Sequence, residues 1–259
     1  MKIPFYQIDA FASRVFSGNP AGVCLLDEWL PDDTMQSIAA ENNLPETAFL
    51  VQRKDLYDLR WFTPEVEIDL CGHATLASGH AIFEFRDSGA RRIEFQSKSG
   101  RLSVEIKEDL LFLDLPSRKP LPCPGPDGLA SILDSAPSHV LSSRDLMVVF
   151  DDENAVRTLD PDLDRVAKLD SFGLIVTAPG RNSDFVSRFF APGAGIPEDP
   201  VTGSAHCTLI PYWAERLGKK DLHAFQLSRR GGEMFCEDRG DRVSIGGRCV
   251  TYLSGTITV

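Results

Sequence analysis

Two short stretches of the 259-residue chain collect side chains suited to moving protons. Glu46, Asp69, Cys71 and His73 stand around a first glycine turn, and Asp199, Ser204 and His206 stand around a second. Carboxylates and imidazoles exchange protons near neutral pH when their surroundings tune them, and hydroxyls donate to negative charge as it develops. Glu46 is the most unusual of the set, because Leu44-Pro45-Glu46-Thr47-Ala48-Phe49-Leu50-Val51 places it at the entrance to an apolar strand. A carboxylate at such an edge loses solvent when a cleft closes over it, which favours proton exchange with a bound molecule. Each residue also has a plainer reading: a solvated strand-start glutamate, a histidine that caps or packs, an aspartate before Pro200 that forms a turn.

The elements that must position these groups repeat along the chain. Arg60-Trp61-Phe62-Thr63-Pro64 returns as Arg188-Phe189-Phe190-Ala191-Pro192, and Cys71-Gly72-His73-Ala74-Thr75 as Thr202-Gly203-Ser204-Ala205-His206. Ser97-Lys98-Ser99-Gly100 and Ser228-Arg229-Arg230-Gly231 form a third match. Self-similarity of this kind predicts two lobes of one fold. In each copy a strand ending in aromatic-x-Pro runs through an acidic loop to a glycine that opens an apolar helix, from Gly72 to Phe85 and from Gly203 to Leu217. Helices apolar nearly all round are buried ones, so each lobe is expected to wrap a sheet around a central helix. Glycine at Ser88-Gly89 and at Gly218 is expected to end them.

Alternating strands follow the first helix at 92–96, 102–106 and 111–115, read as antiparallel neighbours. A second, exposed helix is expected from Pro31 to Asn42, with Asp32 and Asp33 in its first turn. The proline-rich stretch 116–126 reads as the linker. The expected lobes are therefore residues 1–117 and 118–259, with the final strand, 250–259, able to cross to the first. The second lobe carries no acid matching Glu46, since Ser171-Phe172-Gly173-Leu174-Ile175-Val176 has none. The duplication is asymmetric where chemistry would be.

Two helices opened by equivalent glycine turns are expected to aim their free N–H groups at a shared cleft, where a carboxylate would be held. The formal charge of −11 argues against nucleic acid as a partner, and the short basic pairs lie beside acidic residues. No apolar run nears the roughly 18 residues that span a bilayer, and no signal peptide opens the chain, so a cytoplasmic protein with no membrane partner is expected. Six cysteines without a C-x-x-C pair suggest neither a zinc site nor a disulfide framework.

Four motifs in order, Gly18-Asn19-Pro20-Ala21-Gly22-Val23, Leu44-Pro45-Glu46-Thr47-Ala48-Phe49, Leu70-Cys71-Gly72-His73-Ala74-Thr75 and Glu198-Asp199-Pro200-Val201-Thr202-Gly203-Ser204-Ala205-His206, closely resemble the PhzF-like (phenazine biosynthesis-like) isomerases. The resemblance implies the α/β fold of diaminopimelate epimerase: two pseudo-symmetric lobes, each a central helix in a curved, mostly antiparallel sheet. It implies that Glu46 moves a proton between carbons, with His73, Asp199 and Ser204 orienting substrate and relaying protons. Asn19, Gly72, Ala74, Gly203 and Ala205 would hold substrate polar groups, with no metal or organic cofactor and a homodimeric assembly. Relatives of this fold that racemise amino acids use two cysteines at the helix-opening glycines. Here Cys71 holds one position and Thr202 the other, so a two-thiol racemase is not expected.

The expected activity is thus a cofactor-independent isomerase acting on a small carboxylate-bearing metabolite by general acid/base catalysis. A single-base epimerase, or a small-molecule-binding protein without turnover, are the alternatives. A serine hydrolase is disfavoured, because Thr202-Gly203-Ser204-Ala205-His206 lacks the Gly-x-Ser-x-Gly elbow.

Overall fold

The computed structural model describes residues 1–259. Contacts divide the chain into Met1–Asp114 with Gly246–Val259, and Leu115–Ile245. No helix is long and apolar enough to cross a membrane.

In the first unit, Lys2–Ala10 lies between Cys249–Thr258 and Asn19–Leu26, antiparallel to both. Asn19–Leu26 then runs parallel to Glu46–Arg53, which is antiparallel to Leu56–Phe62. Leu56–Phe62 runs parallel to Arg92–Ser97, and antiparallel hairpins continue through Gly100–Lys107 to Leu110–Pro116. The three strands expected after the first helix are these last ones, each longer by one to three residues. The helix Gly72–Phe85 packs on the inner face of this sheet, with Ala74, Leu76, Ala77, Ala81 and Ile82 fully enclosed. It approaches so closely that a Cβ on Gly79 would stand 2.6 Å from Val104 Cγ1. The opposite face is covered by Asp32–Asn42, whose Met35, Ile38 and Ala39 pack on Phe49 and Phe62.

The second unit repeats the order of pairings. His139–Ser142 is antiparallel to Leu146–Val149, which runs parallel to Leu174–Pro179. An antiparallel step to Phe185–Phe190, a parallel step to Asp221–Gln226 and an antiparallel step to Gly232–Asp238 follow. The helix Gly203–Leu217 packs on the last two of these strands. Short helices at Leu129–Leu133, Glu153–Thr158 and Leu163–Val166 cover the other face over Val148, Leu174, Val176 and Phe190.

The repeat extends to side chains. Arg60 donates from Nε and Nη2 to the two oxygens of Glu67 at 2.7 and 2.8 Å, and its guanidinium lies 5.2 Å from the Phe62 ring centre. Arg188 does the same with Glu198 at 2.6 and 3.2 Å, 4.8 Å from the Phe190 ring centre. Each pair clamps the acidic loop just ahead of a helix-opening glycine. The Arg60 guanidinium holds the Glu67 carboxyl down at about 2.

Both helices keep their expected bounds, but one expected cap differs. The second helix ends at Gly218 in the left-handed region, φ 66°, as glycine caps do. The first ends at Arg86, φ −124°, and Gly89 belongs instead to a turn in which the Asp87 carboxylate accepts from the N–H groups of Gly89 and Ala90. The stretch 116–126 is not wholly irregular, since Leu121–Pro122 pairs with Leu141 and Ser142.

Candidate active site

Glu46 and His73 meet in the first unit, Oε2 to Nε2 at 3.0 Å, both buried. The strand pairing that sets Ala21 beside Glu46 also brings Asn19, two residues earlier, close to the helix start. Gly18 turns the chain there at φ 65°, where a Cβ would stand 2.2 Å from the Ala10 carbonyl oxygen, so only glycine fits. Asn19 is fully enclosed and its Nδ2 donates to His73 Nδ1 at 3.1 Å.

That contact assigns the proton. With Nδ1 accepting from Asn19, the neutral ring carries its hydrogen on Nε2, which faces Glu46 Oε2 at contact distance without completing a hydrogen bond to it. A ring protonated on both nitrogens is served by turning the Asn19 amide so that Oδ1 faces Nδ1. Burial disfavours a charged imidazole at His73, but the neighbouring Cys71 and Glu46 groups outweigh it and hold the pKa well above the usual range. Burial conversely pushes the Cys71 thiol up, which leaves the Glu46 carboxylate as the partner that favours imidazolium.

Cys71 Sγ lies 3.5 Å from His73 Nδ1 and 4.0 Å from Nε2. Donor atoms of Glu46, Cys71 and His73 fall within 4.8 Å of one another, so the trio could hold a metal ion only with the thiol ionised against its burial. Asp69 is exposed and outside this group. Gly72 and Ala74 are buried in the first helical turn, which has neither an acidic side chain nor a side-chain cap on its N–H groups.

In the second unit the corresponding helix start is again uncapped and free of acids. Asp199 Oδ2 accepts from the Thr202 hydroxyl at 2.5 Å. Gln226 holds the turn between them: its Oε1 accepts from Thr202 N–H at 2.9 Å while its Nε2 donates to the Asp199 carbonyl at 2.8 Å. Ser204 Oγ accepts from Arg144 Nη2 at 3.1 Å. Gly203 and Ala205 lie buried beside it. Gln226 and Arg144 carry no individual signal in the sequence, since each reaches its partner across tens of residues.

His206 is not a proton-exchange group of this turn. Its ring is fully buried near Phe185, Nδ1 donates to the Thr202 carbonyl at 2.8 Å, and burial holds the pKa down at about 4. The equivalent residue of the first unit, Thr75, bonds the Cys71 carbonyl in the same manner, so both are back-bonds of the repeated helix start.

Comparison with known proteins finds relatives along almost the whole chain. The family described as phenazine biosynthesis-like protein matches residues 8–255. An uncharacterised isomerase of Pseudomonas aeruginosa is 52% identical over 258 residues, 99% of each chain. The crystal structure of a phenazine biosynthesis protein PhzF family member from Enterococcus faecalis superposes with a TM-score of 0.98 at 46% identity, covering 100% of both chains. A hydroxyproline epimerase from Agrobacterium vitis, 9% identical and covering 99% of this chain and 92% of its own, shares the fold alone at a TM-score of 0.62. With the family matched over almost its whole length, the chain belongs to the phenazine biosynthesis-like family.

Proposed function

We propose that this chain is a cofactor-independent isomerase in which Glu46 moves a proton between two carbons of a small, carboxylate-bearing metabolite. The observation that carries the reading is the buried Glu46–His73 contact at 3.0 Å, with His73 held in turn by Asn19. His73 stands beside Oε2, and the Glu46 carboxylate is assigned to meet substrate. As the C–H bond breaks, its proton passes to Glu46 and its electron pair spreads into the substrate's unsaturated system. The O–H bond then breaks as a C–H bond forms at the second carbon, and Glu46 is again a carboxylate. General acid/base steps of this kind contribute about 10²–10⁴-fold in rate.

Each central helix start is uncapped, so its N–H groups are open to a carboxylate or to developing negative charge. Asp199 and Ser204 are assigned to holding and orienting substrate polar groups. Relatives named as isomerases support an isomerisation. Epimerisation at one carbon needs an acid opposed to the base; His73 lies against Glu46 itself, so in that alternative the role would fall to Asp199. The reading also assigns a cytoplasmic homodimer, to be checked by fractionation and sedimentation. The test of the reaction is deuterium uptake from heavy water into an isomerised carboxylic acid, lost in Glu46→Gln.

A further inference from the structure

The proposed reaction makes no use of Arg144, although it is the cation that touches Ser204. It sits in the turn joining His139–Ser142 to Leu146–Val149, and its guanidinium is fixed on several sides. Nε donates to Asp145 Oδ1 at 3.1 Å, and Nη2 donates to Asp145 Oδ2 at 2.8 Å and to Ser204 Oγ at 3.1 Å. The ring of Phe172 lies 4.5 Å from its Cζ. Asp145 is fully buried, yet the Arg144 side chain keeps 33% of its surface exposed. These bonds use Nε and Nη2, which leaves the two N–H groups of Nη1.

A second guanidinium bears on the same carboxylate. Arg118 acts electrostatically on Asp145, and its backbone N–H donates to the Cys207 carbonyl of the helix at 2.8 Å. Two arginines thus act on the single Asp145 carboxylate, of which Arg144 is the one in contact with Ser204. A hydroxyl that accepts from Arg144 also keeps its own hydrogen for another acceptor.

We propose that Arg144 is a positioning and specificity-determining residue: it orients Ser204 as a donor and, through Nη1, takes an anionic oxygen of the substrate. The ligand group is a carboxylate, whose two oxygens match one N–H and one O–H donor held on a common support. A planar guanidinium locked by Asp145 offers that fork in a fixed direction, which an ammonium does not. This inference rests on the proposed carboxylate-bearing substrate and names the group that recognises it in the second unit.

The test is calorimetric titration of the full chain with malonate and with malonamide, its uncharged counterpart. Wild type is expected to bind malonate saturably and at least tenfold more tightly than malonamide. Arg144→Gln strands the buried Asp145 carboxylate, so the double variant Arg144→Gln/Asp145→Asn is measured beside it and should lose the preference for malonate. Arg144→Lys should keep the preference at reduced strength. A merely structural role would not move charge preference. Absence of saturable malonate binding in wild type, or a preference in the double variant within twofold of wild type, overturns the inference. Glu46→Gln separates the two claims: it should lose deuterium exchange on the acid that wild type turns over, while the preference for malonate over malonamide persists. Exchange that survives Glu46→Gln sinks only the proposed reaction.

Discussion

His73 Nε2 stands 3.0 Å from Glu46 Oε2 in a buried pocket of the first unit, and Asn19 holds the far side of the imidazole. The base of the proposed reaction thus lies against a histidine that an amide holds from its far side.

The pair makes stability depend on pH in a stated direction. His73 has its pKa raised well above the usual value in the folded chain, burial opposing the rise while the Cys71 and Glu46 groups drive it. The folded state therefore binds a proton more tightly than the unfolded one, so the contribution is present in full below about pH 6.5 and is lost as pH climbs through the raised value. Melting temperature should fall from neutral into alkaline pH in wild type. His73→Gln should show less of that decline, and an equal decline in both would remove the effect from His73.

His206 works in the opposite sense. Burial lowers its pKa to about 4, so between the unfolded value and that point the unfolded chain binds the extra proton. Stability present above about pH 6.5 is lost as pH falls toward 4, by roughly 3 kcal/mol in all. His206→Asn, whose amide can still donate to the Thr202 carbonyl, should flatten the acid limb of the urea midpoint against pH. A limb as steep as wild type would place the acid sensitivity elsewhere.

Cys71 separates this chemistry from thiol racemisation. A catalytic thiol would make Cys71→Ala lose on the order of 10³-fold or more in deuterium exchange, as removal of an acting base does. The present account expects a loss within about fivefold, because the thiol only packs near His73 and burial pushes its pKa up.

Removing Arg188 should destabilise the second unit. It pairs with Glu198 and also donates to the carbonyls of Val156 and Leu159, at 3.2 and 2.5 Å, while only 13% exposed. Arg188→Ala strands those acceptors, at a cost of about 2–4 kcal/mol by analogy with broken partly buried pairs. Urea denaturation reads the loss. A change below about 0.5 kcal/mol would reduce the clamp to an ordinary surface pair.

Much of this was legible in the chain. Both central helices begin and close to where the glycine turns and all-round apolar character put them, because burial on every side leaves little room for another element. The Arg-aromatic-aromatic repeat foretold two copies, and the structure adds its reason: each arginine clamps the acid ahead of its glycine. The end of the first helix at Phe85 was legible but its cap was not, since an aspartate turn at Asp87 takes the role expected of Gly89. The Glu46–His73 contact was foreshadowed by residue type alone, because the strand register that joins Asn19, Glu46 and His73 is a tertiary matter. Arg144, Asp145 and Gln226 sit in segments without distinctive spacing, and His206 looked like a candidate until its enclosure was seen.

The central claim is that Glu46 carries the mobile proton, and deuterium incorporation tests it most directly. A carboxylic acid turned over by wild type, found by thermal-shift screening of small cyclic and unsaturated acids, is incubated in heavy water and followed by proton NMR. The account predicts deuterium at the carbon that receives the proton in wild type, and a loss of at least about 100-fold in Glu46→Gln, with the fold and ligand binding retained. A loss below about tenfold would contradict it and leave Glu46 a structural partner of His73.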